Sequence, residues 1–321
     1  MYLVCGEALF DFFCLPGARH SELNFQALAG GSPFNVALGL CRLGVEAALF
    51  GAISSDYLGQ RLRQVLLEEG VSDRYLIASE APTTLAMVAV DAQGSPQYMF
   101  RGEGCADRQL LPEHLPLLDA RVSGLHVGSY SLVVTPIADT LLALVRRESG
   151  QRLISLDPNV RLNPAPDIAL WRQRIESFAA HAHLIKVSEE DLGLLYPGVE
   201  PLTIVERWLA QRCQLVFLTR GSEGASVFSR QHGQWSIAAR TVVTRDTVGA
   251  GDSFQAAIIA YLVEQGLDSP EALATLSREH IDAMLGFAVQ AAALTCSRVG
   301  PQLPYRHELA GYQAVGTSEA Q

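Results

Sequence analysis

The chain has 321 residues, of which 49% are hydrophobic and 18% charged, and its formal net charge at pH 7 is −10. That is enough apolar material for one large α/β domain with a small appendage, while the acidic excess repels nucleic acid and anionic lipid. Neither is expected as a partner, and any phosphate ligand must be held by local devices: backbone amides, a divalent metal and a few arginines.

In chain order, 8–13 reads as a strand, and 33–43 and 57–69 read as helices. Pro33 opens the first, which Gly44 closes, and Gly70 closes the second. Residues 84–91 and 96–101 are strand-like and joined by turn residues, as in an antiparallel sheet. From 124 onward, apolar runs alternate with helical patterns: 124–127 then 136–147, 152–156 then 168–180, and 183–187 then about 189–196 and 202–212. Strands at 215–218 and 225–229 and a helix over 254–265 follow. Repeated strand–helix units with continuously apolar strands prescribe a doubly wound, mostly parallel β-sheet sandwiched by helices.

The early strands add a small β lid, built from about 8–30 and 83–106, to a single α/β domain spanning 1–315. Residues 316–321 read as a loose tail. Phe10, Phe12 and Phe13 give the lid more apolar surface than a small sheet hides, so a homodimer through the lid is expected. No apolar run reaches the roughly 18 residues that cross a bilayer. The first residues lack the charged start of a secretion signal, so the cytoplasm is the expected compartment. The six cysteines, with no Cys-x-x-Cys pair, read as reduced thiols.

The segment Asp246-Thr247-Val248-Gly249-Ala250-Gly251-Asp252 carries the most chemistry. It places two glycines and a carboxylate where a strand would pass into a helix, a turn whose free N–H groups at the positive helix end make a phosphate site. Gly249 and Gly251 permit positive φ and close approach to an anion, and Asp252 beside it is a candidate base. Capping by Asp252 alone leaves both glycines unexplained. Phosphoryl transfer is the first functional expectation.

Four other segments are each open to two readings. Gly30-Gly31-Ser32-Pro33-Phe34-Asn35-Val36-Ala37 is either a loop and cap or a glycine pair admitting a ligand, with Asn35 able to bond hydroxyls. Asp157-Pro158-Asn159-Val160-Arg161 emerges at a carboxyl end of the sheet, where open α/β folds bind ligands. It is a structural turn, or it offers Arg161 to oxygen atoms. The acids of Lys186-Val187-Ser188-Glu189-Glu190-Asp191 complement a helix dipole or approach magnesium. Gly221 and Gly224 make a hairpin turn or frame a nucleotide.

Taken in order, these segments resemble the ribokinase, or phosphofructokinase-B, family of sugar kinases, from Gly6 to Pro304. The resemblance implies ATP as phosphoryl donor with Mg2+, Asp252 as base, and the amides of Gly249, Ala250 and Gly251 as anion hole. It assigns Asp11, Gly30, Gly31 and Asn35 to the sugar, joined by Arg101 from the lid and Arg161. Lys186, Ser188, Thr219, Gly221, Gly224 and Gly251 fall to the nucleotide, with the helix ending at 291–296 beside adenine. Asp191 takes the magnesium position, although the family's Asn-x-x-Glu motif reads Ser188-Glu189-Glu190-Asp191 here. Asp246 and Gly300 lie in segments that in many members hold a monovalent cation such as K+.

Within the family, 30–37, 157–161 and Phe100-Arg101 followed by Ala106-Asp107 look most like bacterial fructokinases. The implied reaction is D-fructose and ATP to fructose 6-phosphate and ADP. The same fold with 2-keto-3-deoxygluconate, ribose or a nucleoside as acceptor is the near alternative, and a non-catalytic nucleotide or sugar sensor is the reading from another class.

Overall fold

A computed structural model describes residues 1–15, 22–90 and 96–309. The chain opens with β1 (Tyr2–Cys5), β2 (Leu9–Cys14), β3 (Phe25–Gly30), α1 (Ser32–Arg42), β4 (Ala47–Ser54), α2 (Tyr57–Glu68) and β5 (Leu76–Ser79). Then come β6 (Leu85–Val90), β7 (Pro96–Arg101), β8 (Gly124–Gly128), α3 (Ile137–Glu148), β9 (Leu153–Asp157), α4 (Ile168–Ala179) and β10 (Leu184–Ser188). The last third holds α5 (Glu189–Leu195), α6 (Pro201–Leu209), β11 (Leu215–Thr219), β12 (Ala225–Ser229) and β13 (Gly233–Ile237). It ends with α7 (Ala250–Glu264), α8 (Pro270–Ala274) and α9 (Arg278–Cys296).

Nine strands form one sheet in the order β13-β12-β11-β10-β9-β8-β1-β4-β5, parallel from β11 to β5 and antiparallel at the β12 and β13 edge. Its inner strands are mostly apolar on both faces. In β1, Tyr2 and Val4 point into a core shared with α1, α7 and α9, while Leu3 and Cys5 point into a core shared with α3, α4 and α6. The two-residue period thus serves two layers, which is why the run is continuously apolar. α7 packs on the sheet through Phe254 against Phe217, flanked by α1 and α9, and is apolar almost all round. Among the described residues no helix is long and apolar enough to cross a membrane.

The second sheet has the order β3-β2-β6-β7. Its outer pairs are antiparallel, β6–β7 as expected and β3–β2 through a strand the sequence does not announce. The central pair β2–β6 is parallel, with Phe10 opposite Leu85. The reason is the chain's route: after β3 it leaves to build α1 through β5 in the large body, then re-enters. Phe10 is buried, whereas Phe12 and Phe13 are half-buried, and Phe12 packs edge-on against Phe10 and Phe25. Residue 91, parts of the lid span and the tail at 316–321 lie outside the described residues.

Five strands, β1, β3, β4, β5 and β13, and the start of α9 escape the sequence reading. β4 is the instructive omission. All its residues are buried, yet it is rich in Ala and Gly, which strand preferences disfavour. Gly51 there is required by packing, since a Cβ would lie 2.3 Å from the Gly6 carbonyl oxygen. A second correction concerns α7: it begins at Ala250 instead of 254, and 238–249 before it is irregular, so no strand feeds the 246–252 turn.

Candidate active site

The site starts from the geometry of the first turn of α7. Gly249 caps it in the left-handed region, with φ 79° and ψ −2°. Here a side chain is excluded twice, by that conformation and by Pro301, whose Cα would lie 3.0 Å from a Cβ. Gly251 has no positive φ, contrary to expectation. It is glycine for lack of room: its Cβ would lie 2.8 Å from Lys186 Nζ. The Ala250 amide donates to Thr247 O at 3.2 Å, while those of Gly249, Gly251 and Asp252 have no acceptor among the described residues.

Asp252 is the third helical residue and 8% exposed. Its Oδ1 accepts from Ser32 Oγ at 2.7 Å and its Oδ2 from Asn35 Nδ2 at 2.8 Å. Both donors stand on the first turn of α1, capped by Gly31 with φ 108°. A Cβ on Gly31 would meet Glu7 O at 2.9 Å. The two glycine-bearing motifs, some 220 residues apart in sequence, therefore meet helix start to helix start. Ser32 is a partner that the residue-by-residue reading missed, although it sits inside the first motif.

On the small-sheet side, Asp11 leans over Gly30, where a Cβ would lie 2.5 Å from Asp11 Oδ2. Burial raises the Asp11 carboxyl to about 6; the Arg161 charge opposes this and the Asp252 charge adds to it. Asp11, Arg161 and Asp252 are thus drawn into one electrostatic neighbourhood. The Arg161 guanidinium is exposed and donates to Val160 O at 2.8 Å. Arg101, opposite Leu85 on β7, is exposed, and its side chain has no hydrogen-bond or ion-pair partner among the described residues. The structure does not join it to the cluster.

A cleft of about 950 Å³ runs from the first turn of α7, past the ends of β10 and β11, to α9. Arg161, Lys186, Ser188 and Asp191 line it, as do Thr219, Gly221, Gly224, Ala250 and Gly251. Asp11, Gly30, Gly31, Asn35, Gly249 and Asp252 lie outside that lining, the last two adjoining Ala250 and Gly251 at its near end. Val289, Ala292, Ala293 and Cys296 of α9 close the far end, facing Arg240, Thr241 and Thr244. The last three come from the irregular 238–249 stretch, which carries no periodicity that could have revealed them. Arg220 also lines the cleft, hidden in plain sight between Thr219 and Gly221.

Several of these residues have a structural duty as well. Lys186 Nζ forms a buried ion pair with Asp157 Oδ2 at 2.8 Å. Burial works against the Lys186 charge, but Asp157, then Asp191 and Asp252, outweigh it and raise its pKa. Burial likewise lifts Asp157 to about 6, against the pull of Lys186. Both groups remain ionised at neutral pH. Ser188 caps α5, its Oγ accepting from Asp191 N at 3.0 Å, and Asp191 Oδ1 accepts from Val160 N at 2.8 Å. Asp191 thereby braces the 157–161 turn. Gly224 has φ 101°, and a Cβ there would lie 2.1 Å from Ile237 O, whereas at Gly221 it would meet nothing.

Asp246 and Gly300 do come together: the Gly300 amide donates to Asp246 Oδ2 at 2.8 Å, and Val248 N donates to Oδ1 at 3.1 Å. Among the described residues there is no cluster of three or more His, Cys, Asp or Glu suited to a metal ion.

Comparison with known proteins places this geometry. The model of the pfkB family carbohydrate kinases matches residues 2–308. A fructokinase of Rhizobium leguminosarum bv. trifolii is 35% identical over 280 residues, covering 87% of this chain and 85% of the relative. One from Klebsiella pneumoniae is 33% identical, covering 95% and 97%. Among solved structures, a Xylella fastidiosa fructokinase with bound ATP superposes with a TM-score of 0.88 at 27% identity, covering 97% of each chain. The chain belongs to the pfkB family of carbohydrate kinases and is a sugar phosphotransferase.

Proposed function

We propose that this carbohydrate kinase is a fructokinase that transfers the γ-phosphoryl group of ATP to the 6-hydroxyl of D-fructose. The observation that carries the reading is the Asp252 carboxylate, held by Ser32 and Asn35 beside the open amides at the start of α7. The fructokinase relatives and the ATP-bound neighbour support the choice of substrates. Asp252 takes the hydroxyl proton late in the transfer, and the amides of Gly249, Gly251 and Asp252 receive the migrating phosphoryl group. Ala250 contributes less than its neighbours, because its amide is engaged by Thr247. Lys186, directly under Gly251, adds positive charge.

In this reading Asp11 accepts hydrogen bonds from hydroxyls of the sugar, and Gly30, Gly31 and Asn35 complete its seat. The small sheet acts as a lid that excludes water, and two copies pair across its half-buried Phe12 and Phe13. A monomer in light scattering at micromolar concentration would remove that pairing. The nucleotide occupies the cleft, with its base against α9 and its phosphates toward Gly251. No three acids converge on a metal site among the described residues, so Mg2+ would enter the cleft on the nucleotide's phosphates, with Asp191 as its proposed protein contact and water in its remaining positions. When bound, the ion neutralises phosphate charge. Asp246 and Gly300 remain the proposed seat of a monovalent cation.

Replacing Asp252 by Asn tests the central assignment. Turnover falls by about 10³-fold or more, while calorimetry still records binding of ATP and of fructose; a variant keeping most of its kcat removes Asp252 as base. For the acceptor, the arrangement favours a neutral sugar. Arg161 is electrostatically matched to Asp11 and Arg101 points to solvent, so no spare pair of cations awaits an acid sugar. A panel of acceptors with coupled ADP detection decides between fructose, 2-keto-3-deoxygluconate, ribose and nucleosides. No sugar-dependent ADP from any of them leaves the sensor reading.

A further inference from the structure

Behind Asp252, the layer between the sheet and α7 holds polar side chains wholly removed from solvent: His126, Ser155 and Asp157 on the strands and Gln255 on the helix. The β8–β9 register sets His126 opposite Ser155 and Gly128 opposite Asp157. Gln255 descends from α7, one turn beyond Asp252. Ser155 Oγ accepts from Gln255 Nε2 at 2.7 Å and lies 3.1 Å from His126 Nδ1. With the hydroxyl proton given to Nδ1, every bond in this row is satisfied and the imidazole proton rests on Nε2. Burial, with the Lys186 charge behind it, holds His126 down at about 3, so the ring is neutral.

Within this row three buried atoms then have no partner among the described residues: His126 Nε2, Gln255 Oε1 and Asp157 Oδ1. The first is a donor and the other two are acceptors. Buried polar atoms in folded proteins are nearly always bonded, to protein or to an enclosed water. The space beside Gly128 that a side chain would take is bounded by polar atoms: a Cβ there would lie 2.7 Å from Asp157 O, 3.5 Å from Asp157 Cβ and 3.6 Å from His126 Nε2.

We infer that one ordered water molecule sits beside Gly128, accepting from His126 Nε2–H and donating to Asp157 Oδ1 and Gln255 Oε1. One donor and two acceptors are the complement of a single water, whereas the N–H of His126 would repel a cation. The water fixes the carboxylate whose other oxygen holds Lys186 under Gly251. His126 and Gln255 are therefore positioning residues for the phosphoryl end of the cleft. The water site stands on geometry alone, and its effect on turnover rests on the proposed phosphoryl transfer.

A crystal structure of the full chain, at a resolution that orders internal solvent, tests the site directly. The expected result is a density peak within hydrogen-bond distance of all three atoms; no peak, or side chains turned to bond one another, overturns it. Gln255→Met keeps the length of the side chain and removes both polar atoms. It loses the peak and lowers kcat on the order of tenfold, with KM for the sugar unchanged. An unchanged kcat in a variant that has lost the peak overturns the positioning role, as does a KM change with kcat intact. Should that variant fail to fold, His126→Phe, read the same way, takes its place. A wild-type structure with the water but no kinase activity would sink the functional reading and leave the site standing.

Discussion

The two ends of the cleft are built on different terms. Around Asp252 each position is fixed from several sides: two helix starts face each other, Gly249 is held by its φ, and Gly30 and Gly251 are held by side chains where a Cβ would go. At the far end the wall is made of small α9 residues and an exposed irregular stretch, and a Cβ on Gly221 would touch nothing. The near end is specified atom by atom. The far end is specified only as a shape, which many side chains of similar size can supply.

That contrast can be broken by adding single methyl groups. Gly251→Ala presses on the Lys186 ammonium and moves it from Asp157, so kcat falls by about 10²-fold with only a small change in melting temperature. Loss of binding for both substrates instead would mean that the methyl disrupts the turn itself. Gly30→Ala pushes on Asp11, raising KM for the sugar about tenfold and leaving KM for ATP alone; equal changes in both would contradict the separation of the two sides.

Acidity gives an intermediate effect on the sugar side. In the proposed role Asp11 must be ionised to accept hydrogen bonds from hydroxyls, and its carboxyl is raised to about 6. Below that value it is protonated, so KM for the sugar climbs as pH falls through about 6, and Asp11→Asn removes that dependence. A flat profile in the wild type would take Asp11 out of sugar binding. The smallest effect belongs to the far end. Gly221→Ala meets no atom, and the strain of φ 51° costs on the order of 1 kcal/mol of stability, with kcat within about twofold of wild type. A kinetic loss as large as that of Gly251→Ala would erase the contrast.

The same contrast explains what could be read from the amino acids. Gly249, Gly251 and Asp252 were legible because a tightly confined helix start leaves few residue types able to fill it. The reason for Gly251 was not legible, since nothing local reveals that Lys186, on a strand more than sixty residues earlier, ends beneath it. Strands such as β9 and β10 announced themselves through branched apolar residues. β4 did not, because close packing against Gly6 demands small residues that read as loop. Arg240, Thr241 and Thr244 were invisible for the opposite reason: a cleft wall without regular structure has no period to detect.

The parallel β2–β6 pair has a consequence for how the chain acquires its shape. Its two strands enclose the whole excursion from α1 to β5, so closing that pair requires a loop of about seventy residues to be structured first or at once. The small sheet is accordingly no detachable module that could nucleate by itself or be grafted elsewhere as a piece. In hydrogen exchange its β2–β6 ladder should gain protection no earlier than the body strands β1 and β4, and a substitution that loosens that body will melt the small sheet along with it.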